Sequence, residues 1–318
     1  MRTRVLTLFI AFTLFSTAVC AQEAAQDTTW KTGGLINVGI SQVSLTDWAA
    51  GGFSSVSGNA NFSLFAHMLK DKHSWDNDLI LGYGLLKQGD DDNVIKTDDR
   101  IDFSSKYGRQ AWNPQWYYSA LANFRTQFTE GIGEDIVDAN DVVIFDDPVI
   151  SDLLAPAYIL ASLGLDYKPN DNLTVFVSPL TAKFTIVNDD LLAARGSFGV
   201  EAGEVGLDDE GNLIVLVPGE NSRSEFGGYF KLGYTQALME NVTFETKLDL
   251  FSNYEAPTYI DVNWDALLNL KVNDFISASL GSTFIYDHDV KILDSSGNSG
   301  PRTQIRQIFG VGFNYTFK

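Results

Sequence analysis

Cysteine, histidine, basic residues and long apolar runs are what this chain has least of. Its 318 residues include one cysteine, Cys20, and three histidines, so a disulfide within the chain lacks a second cysteine. Only 22 Lys and Arg stand against 41 Asp and Glu, a formal charge of −19. That balance excludes a nucleic-acid binder, because phosphate contacts draw on Lys and Arg. Beyond the first residues no apolar run approaches the roughly 18 that a helix needs to cross a membrane; the longest are short pieces such as 157–165. Proline is scarce as well, and seven of the eight fall in connections or at strand ends. The eighth, Pro179, sits inside an expected strand, where a closed sheet has no edge to hold it, so a bulge or break is predicted near Ser178-Pro179.

What the chain does have begins with a targeting segment. Met1-Arg2-Thr3-Arg4 is basic, residues 5–15 are apolar, and small residues lead to Ala21. This is the layout of a secretory signal peptide, residues 1–21, with cleavage expected after Ala21. Thr17, Ala18 and the bulky Val19 before Cys20 make a poor lipid-acceptor motif. Loss of Arg2 and Arg4 would take the formal charge from −19 to −21 and leave the mature chain without cysteine. Residues 22–31 read as a short leader and 32–318 as one domain.

In that domain apolar and polar residues alternate. The last segment sets Ile305, Gln307, Phe309, Val311, Phe313, Tyr315 and Phe317 against Gln304, Arg306, Gly310, Gly312, Asn314 and Thr316. Side chains on a strand alternate faces, so one face is apolar and aromatic and the other small or polar. The same pattern recurs with Val56, Ala60, Phe62, Leu64 and Met68, with Trp116, Tyr118, Ala120, Ala122 and Phe124, and with Ile260, Val262, Trp264, Ala266, Leu268 and Leu270. About twelve such strands can be counted, most of them at or above the roughly 9–11 residues that a tilted strand needs to span lipid.

The connections alternate too. Five are tight, at 71–74, 111–115, 169–172, 239–241 and 273–274, and those between them tend to be longer and acidic. Residues 129–155 hold eight acidic residues and no Lys or Arg; residues 188–223 hold eight acidic residues with only Arg195 and Arg223, and a hairpin is expected around Asp208-Asp209-Glu210-Gly211-Asn212. Short periplasmic turns and long outer loops are the topology of an outer-membrane barrel. The predicted fold is therefore all-β: a single antiparallel up-and-down transmembrane β-barrel of about twelve strands. Trp75, Trp112, Trp116, Tyr117 and Tyr315 are expected at the periplasmic rim, and Trp48, Phe128, Tyr254, Tyr259 and Tyr286 at the outer one. Outer-membrane lipid and lipopolysaccharide are the expected surroundings. The aromatic next-to-last residue, Phe317, resembles the C-terminal signature by which such barrels are recognised, which implies the barrel-assembly machinery as a partner.

An ordered set of short motifs adds a family resemblance. It comprises Asp47-Trp48-Ala49-Ala50-Gly51-Gly52, Ser74-Trp75-Asp76-Asn77, Tyr83-Gly84, Lys96-Thr97-Asp98-Asp99-Arg100, Tyr107-Gly108, Trp116-Tyr117-Tyr118-Ser119, Thr126-Gln127-Phe128, Leu154-Ala155-Pro156-Ala157-Tyr158, Ser178-Pro179-Leu180-Thr181, Phe251-Ser252-Asn253-Tyr254 and Ile285-Tyr286-Asp287. Together these resemble an uncharacterised family of Bacteroidetes-type bacteria, domain of unknown function 3078, from about residue 32 to the C-terminus. The resemblance implies an outer-membrane or envelope barrel with no established activity, and it carries no catalytic residue.

Chemistry must come from the lumen or the loops. The inward phase brings Arg125, Lys231, Glu245, Lys247, Asp249, Asp261, Asp265, Lys271 and Arg306 together from different strands. Unpaired charge in a narrow lumen is costly, so these residues either pair into a network that plugs the barrel or line a polar channel. His67 and His73 fall beside the first periplasmic turn. His288, between Asp287 and Asp289, is at the outer rim and is the one base that a barrel-embedded hydrolase could use. The acidic groups 90–92, 146–147 and 208–210 offer oxygens of the kind Ca²⁺ prefers, without a full loop pattern. No catalytic residue, metal ligand or cofactor is assigned. The expected role is structural, or the passage or recognition of a small polar or amphiphilic solute, with an outer-rim hydrolase or a soluble envelope ligand-binding barrel as alternatives.

Overall fold

The computed structural model describes residues 30–45, 53–89, 94–133, 136–137, 143–145, 148–209, 212–273, 275–293 and 299–317. The signal segment, Trp48 and the acidic groups 90–92 and 146–147 lie outside them. Twelve long strands close into one antiparallel barrel in which each strand follows its predecessor. They are β1 (Trp30–Val43), β2 (Ser55–Lys70), β3 (His73–Gln88), β4 (Val94–Gln110), β5 (Trp116–Thr126), β6 (Ala157–Asn170), β7 (Leu173–Ile186), β8 (Ser222–Met239), β9 (Val242–Asn253), β10 (Ile260–Lys271), β11 (Ile276–Tyr286) and β12 (Gln304–Phe317). β12 returns to β1 from Gly34 opposite Phe317 to Gly39 opposite Gly312, so the barrel wall has no free edge. Along the six pairs of that seam the first and last strands satisfy each other's backbone.

The alternation in the sequence becomes an inside and an outside. On β12 Phe309 and Phe313 are each 71% exposed, and Ile305, Val311 and Tyr315 are exposed beside them. In register, Tyr315 and Phe313 meet Ile36 and Val38 of β1, and Phe309 meets Leu280 of β11, so the apolar surface continues around the wall. The inward phase is mostly small, polar or charged, and it includes a packed cluster of Leu121, Phe176, Tyr229 and Phe251 with Leu160 against it.

The predicted irregularity at Pro179 is present. The register of β7 shifts between Ser178 and Thr181 against β8, and between Leu163 and Leu165 against β6. Ser178 Oγ donates to the Leu163 carbonyl at 2.8 Å and accepts from the Leu180 amide at 3.2 Å, replacing ladder bonds that the bulge removes. Gly164 faces this bulge, and a Cβ there would collide with the Val177 backbone.

The tight turns gather at one end, here the turn rim, and the long connections at the other, the loop rim. Tyr117 corrects one expectation. Following outward Trp116, it points inward and is buried, with the Lys168 ammonium 5.5 Å from its ring centroid. Trp30, assigned to the leader on sequence, joins β1, its ring centroid 5.5 Å from that of Trp75. At the loop rim the connection 187–221 carries the expected hairpin, Glu204–Leu207 against Leu213–Val217. It also carries a short helix, α1 (Asp190–Ala194), which Asp189 caps by accepting from the Leu192 amide. Leu192, Ala193, Val187 and Val200 bury against Ala155 of the preceding long connection, tying two loops into one cap.

Candidate functional site in the lumen

Seven of the nine charged residues expected inside can be followed to partners. Arg125 pairs with Asp102 at 3.2 Å. Lys231 pairs with Asp249 at 3.0 Å, and the Tyr229 hydroxyl donates to the same carboxylate at 2.6 Å. Asp261 binds Lys183 at 2.6 Å, Asp265 binds Arg100 at 3.4 Å, and Arg306 binds Asp98. Lys271 lies exposed at the turn-rim end of β10 and also has an interaction partner. Glu245 and Lys247 sit half-buried on β9 and make no ion pair with a described residue.

The partners are what the sequence reading missed. Three clusters fill the interior. Near the turn rim, Lys106 holds Asp166 at 2.8 Å, while Lys168 reaches Asp166 at 3.5 Å, Asp76 at 2.5 Å and Ser74 Oγ at 2.7 Å. Near the loop rim, Lys183 meets Asp261, Asp287 at 3.2 Å and Glu225 at 3.4 Å, and Arg223 bridges Glu225 at 3.0 Å and Asp289 at 2.5 Å. Between them lies a layer of three arginines and three aspartates: Arg100, Arg125, Arg306, Asp98, Asp102 and Asp265. Arg100 binds Asp102 at 2.7 Å, Asn123 Nδ2 donates to Asp102 at 2.8 Å, and Thr283 Oγ1 donates to Asp265 at 2.7 Å. With its amide oxygen turned toward Arg125, Asn263 also joins this layer.

The strand order gives these distances their meaning. β4 and β10 are six strands apart around a ring of twelve, which places them on opposite walls. The Arg100–Asp265 pair therefore spans the lumen and divides it in two. On the β5–β9 side the inward residues are close-packed: Leu121 is 3% exposed, Phe176 1%, and Ser162, Ser178 and Thr181 are buried with them. On the β11–β12–β1–β2–β3 side a row of small polar residues is accessible, Ser63 and Thr316 being exposed and Asn59 and Asn61 half-buried.

Each histidine has a local partner. His67 Nε2 lies 3.1 Å from Asp78 in the lumen, and His73 Nδ1 lies 2.6 Å from the Tyr107 hydroxyl. His288 stacks on Tyr259 with centroids 3.5 Å apart and contacts the Tyr286 hydroxyl at 3.3 Å. Neither contact brings it a serine, threonine or cysteine. Among the described residues no group of three or more His, Cys, Asp or Glu is placed to hold a metal ion. Asp208, from the acidic hairpin, is occupied by the amide and side chain of Asn212 at 2.8 and 3.0 Å. A furrow of about 940 Å³ opens on the outer wall at the bulge, lined by Leu163, Val177, Pro179, Phe230 and Tyr254, and is continuous with the apolar exterior.

A closed wall with charge inside and Phe, Val and Tyr outside is the reverse of a water-soluble fold, whose exposed apolar patches rarely exceed a few hundred Å². It is the arrangement of an outer-membrane β-barrel. Residues 40–132 match a family described as a protein of unknown function, DUF3078. The motifs from Leu154 onward lie beyond that span. No curated protein matches the chain. Among solved structures, the NanC porin is 9% identical, covering 88% of this chain and 98% of that one at a TM-score of 0.36. The translocator domain of the autotransporter NalP from Neisseria meningitidis is 11% identical, with coverage of 92% and 90% and a TM-score of 0.38. An outer membrane channel from Pseudomonas putida F1 is 11% identical, with coverage of 90% and 95% and a TM-score of 0.37.

Proposed function

We propose that the protein resides in the outer membrane after loss of its signal segment, holds its lumen shut to ions with paired charge, and admits only small solutes past that layer. The observation that carries this reading is the Arg100–Asp265 pair at 3.4 Å between opposite walls. An ion crossing the layer would shed water without meeting a free counter-charge, because the three arginines and three aspartates are already matched. The exposed row on β12 supports contact with acyl chains and recognition of the last strand during assembly, and argues against the soluble envelope barrel. By this reading the short turns face the periplasm and the loop cap faces outward.

Planar-bilayer recording of the refolded protein tests it, with heat-modifiable gel mobility as the check on folding. The wild type should pass far less current than an open porin, and an Arg100→Ala, Asp265→Ala double variant should conduct more. A large steady conductance from the wild type would refute the closed-lumen reading.

A further inference from the structure

The two halves of the lumen differ in whether their polar groups are occupied. On the packed side most polar groups have a bond, Ser119 Oγ being an exception: Thr181 Oγ1 donates to Ser162 Oγ at 2.8 Å, Asn123 to Asp102, Tyr229 to Asp249. On the open side one row is without such bonds, although Thr283 of β11 donates to Asp265 and Asn37 of β1 also has an interaction partner. Ser57, Asn59, Asn61 and Ser63 follow one another on the inward phase of β2, and none makes a side-chain hydrogen bond to another described residue. On β10, four strands round the ring from β2, Asn269 Oδ1 is buried without a partner among the described residues. A buried amide oxygen left without a partner is unfavourable and marks a place where water or a ligand belongs.

The same wall is free of formal charge over this stretch. Its register neighbours are Asn37, Gly39 and Ser41 of β1 and Ile80, Gly82 and Gly84 of β3. The charges at its ends are paired: His67 with Asp78 toward the turn rim, and Arg306 with Asp98 toward the loop rim. Gly82 lies where Asn61 and Asp98 converge; a Cβ there would stand 3.0 Å from an oxygen of each. Leu35 and Ile80 flank Ser63 in register, so hydrogen-bonding and apolar groups lie side by side.

We propose that this half-lumen, walled by β11, β12, β1, β2 and β3, binds and passes a small uncharged polyol. Hydroxyls and amides both donate and accept, as a polyol requires, and the adjoining aliphatic groups suit its C–H faces. An ion would find here only charges already paired, Arg306 with Asp98 and His67 with Asp78. The inference rests on the closed-lumen reading, since Arg100–Asp265 separates this half from the packed one.

The test is swelling of proteoliposomes in glycerol, erythritol and a hexose, compared with gluconate and glucosamine, alongside bilayer conductance of the same preparations. Neutral polyols should enter faster than charged molecules of equal size. Asn59→Leu and Asn61→Leu should each slow entry by about fivefold, roughly the effect of one neutral hydrogen bond. Ala60→Leu, on the outward phase between them, should leave entry unchanged, and Asn59→Ser and Asn61→Ser, which keep a hydroxyl, should recover part of it if the leucine variants fold poorly. No polyol entry above empty liposomes, with wild-type conductance low, would overturn this inference and leave the closed lumen standing. Equal entry of charged and neutral solutes with a large conductance would overturn both.

Discussion

Asp102 is the residue on which the interior layer turns. Its carboxylate takes Arg100 at 2.7 Å, Arg125 at 3.2 Å and Asn123 at 2.8 Å, with only 10% of the side chain exposed. In Asp102→Ala, Arg100 would keep only Asp265 at 3.4 Å, and Arg125 would face the Asn263 amide without a carboxylate. Breaking a buried pair on one side costs about 3–5 kcal/mol, because a charge stays desolvated and uncompensated. Asp102→Asn keeps the shape and one acceptor, so its cost should be nearer about 1.5–3 kcal/mol, the size of a charge-assisted hydrogen bond. Asp171→Ala, at the exposed turn between β6 and β7, should stay within about 0.5 kcal/mol. Urea unfolding in phosphocholine vesicles, followed by the fluorescence of the chain's six tryptophans, reads these differences. A cost for Asp102→Ala within about 1 kcal/mol of wild type would mean that water screens the layer as it screens surface pairs. The lumen would then be wet and open at that level, and the argument for closure would be lost.

Other expectations follow from the wall and the rims. Phe313→Arg, on the outward face of β12, should cost about 2–4 kcal/mol of folding into vesicles, and Ser63→Arg on the lumen face less than half of that; equal costs would contradict the assignment of faces. Tyr254→Phe removes the hydroxyl that donates to the Pro179 carbonyl at 2.7 Å. It should cost about 1 kcal/mol and speed amide exchange around the bulge; unchanged stability and exchange would show that the bulge holds itself. His288→Ala loses the stack on Tyr259, about 0.5–1.5 kcal/mol, and should leave phospholipid and peptide hydrolysis assays reading as for wild type. A turnover that vanished with His288 would restore the hydrolase reading.

The alternation along β12 and β2 was enough to read strands, faces and closure, because period two and a lipid exterior leave few other solutions. The bulge at Pro179 was legible for a similarly local reason: proline cannot donate to a ladder. The site was legible only as a face. Arg125, Lys231, Asp249, Asp261, Asp265 and Arg306 could be assigned to the interior, yet Arg100, Asp102, Asp98, Lys106, Asp166 and Lys183 were passed over. Arg100 and Asp102 stand beside outward Ile101 and Phe103 in a strand otherwise rich in charge, and there the periodic signal is diluted. Tyr117 was misplaced because three aromatics in succession, Trp116, Tyr117 and Tyr118, hide the phase that their neighbours set.

What the sequence determined by itself is whatever repeats at short range: the two-residue period, the alternation of turn and loop, and the burial of charge away from the wall. Which charge meets which was decided only when the sheet closed. Arg100 and Asp265 stand 165 residues apart in the chain, and nothing local marks either as the other's partner. They meet because twelve strands bring the fourth and the tenth face to face across one lumen. The same closure leaves Asn59 and Asn61 without a side-chain hydrogen bond to another described residue.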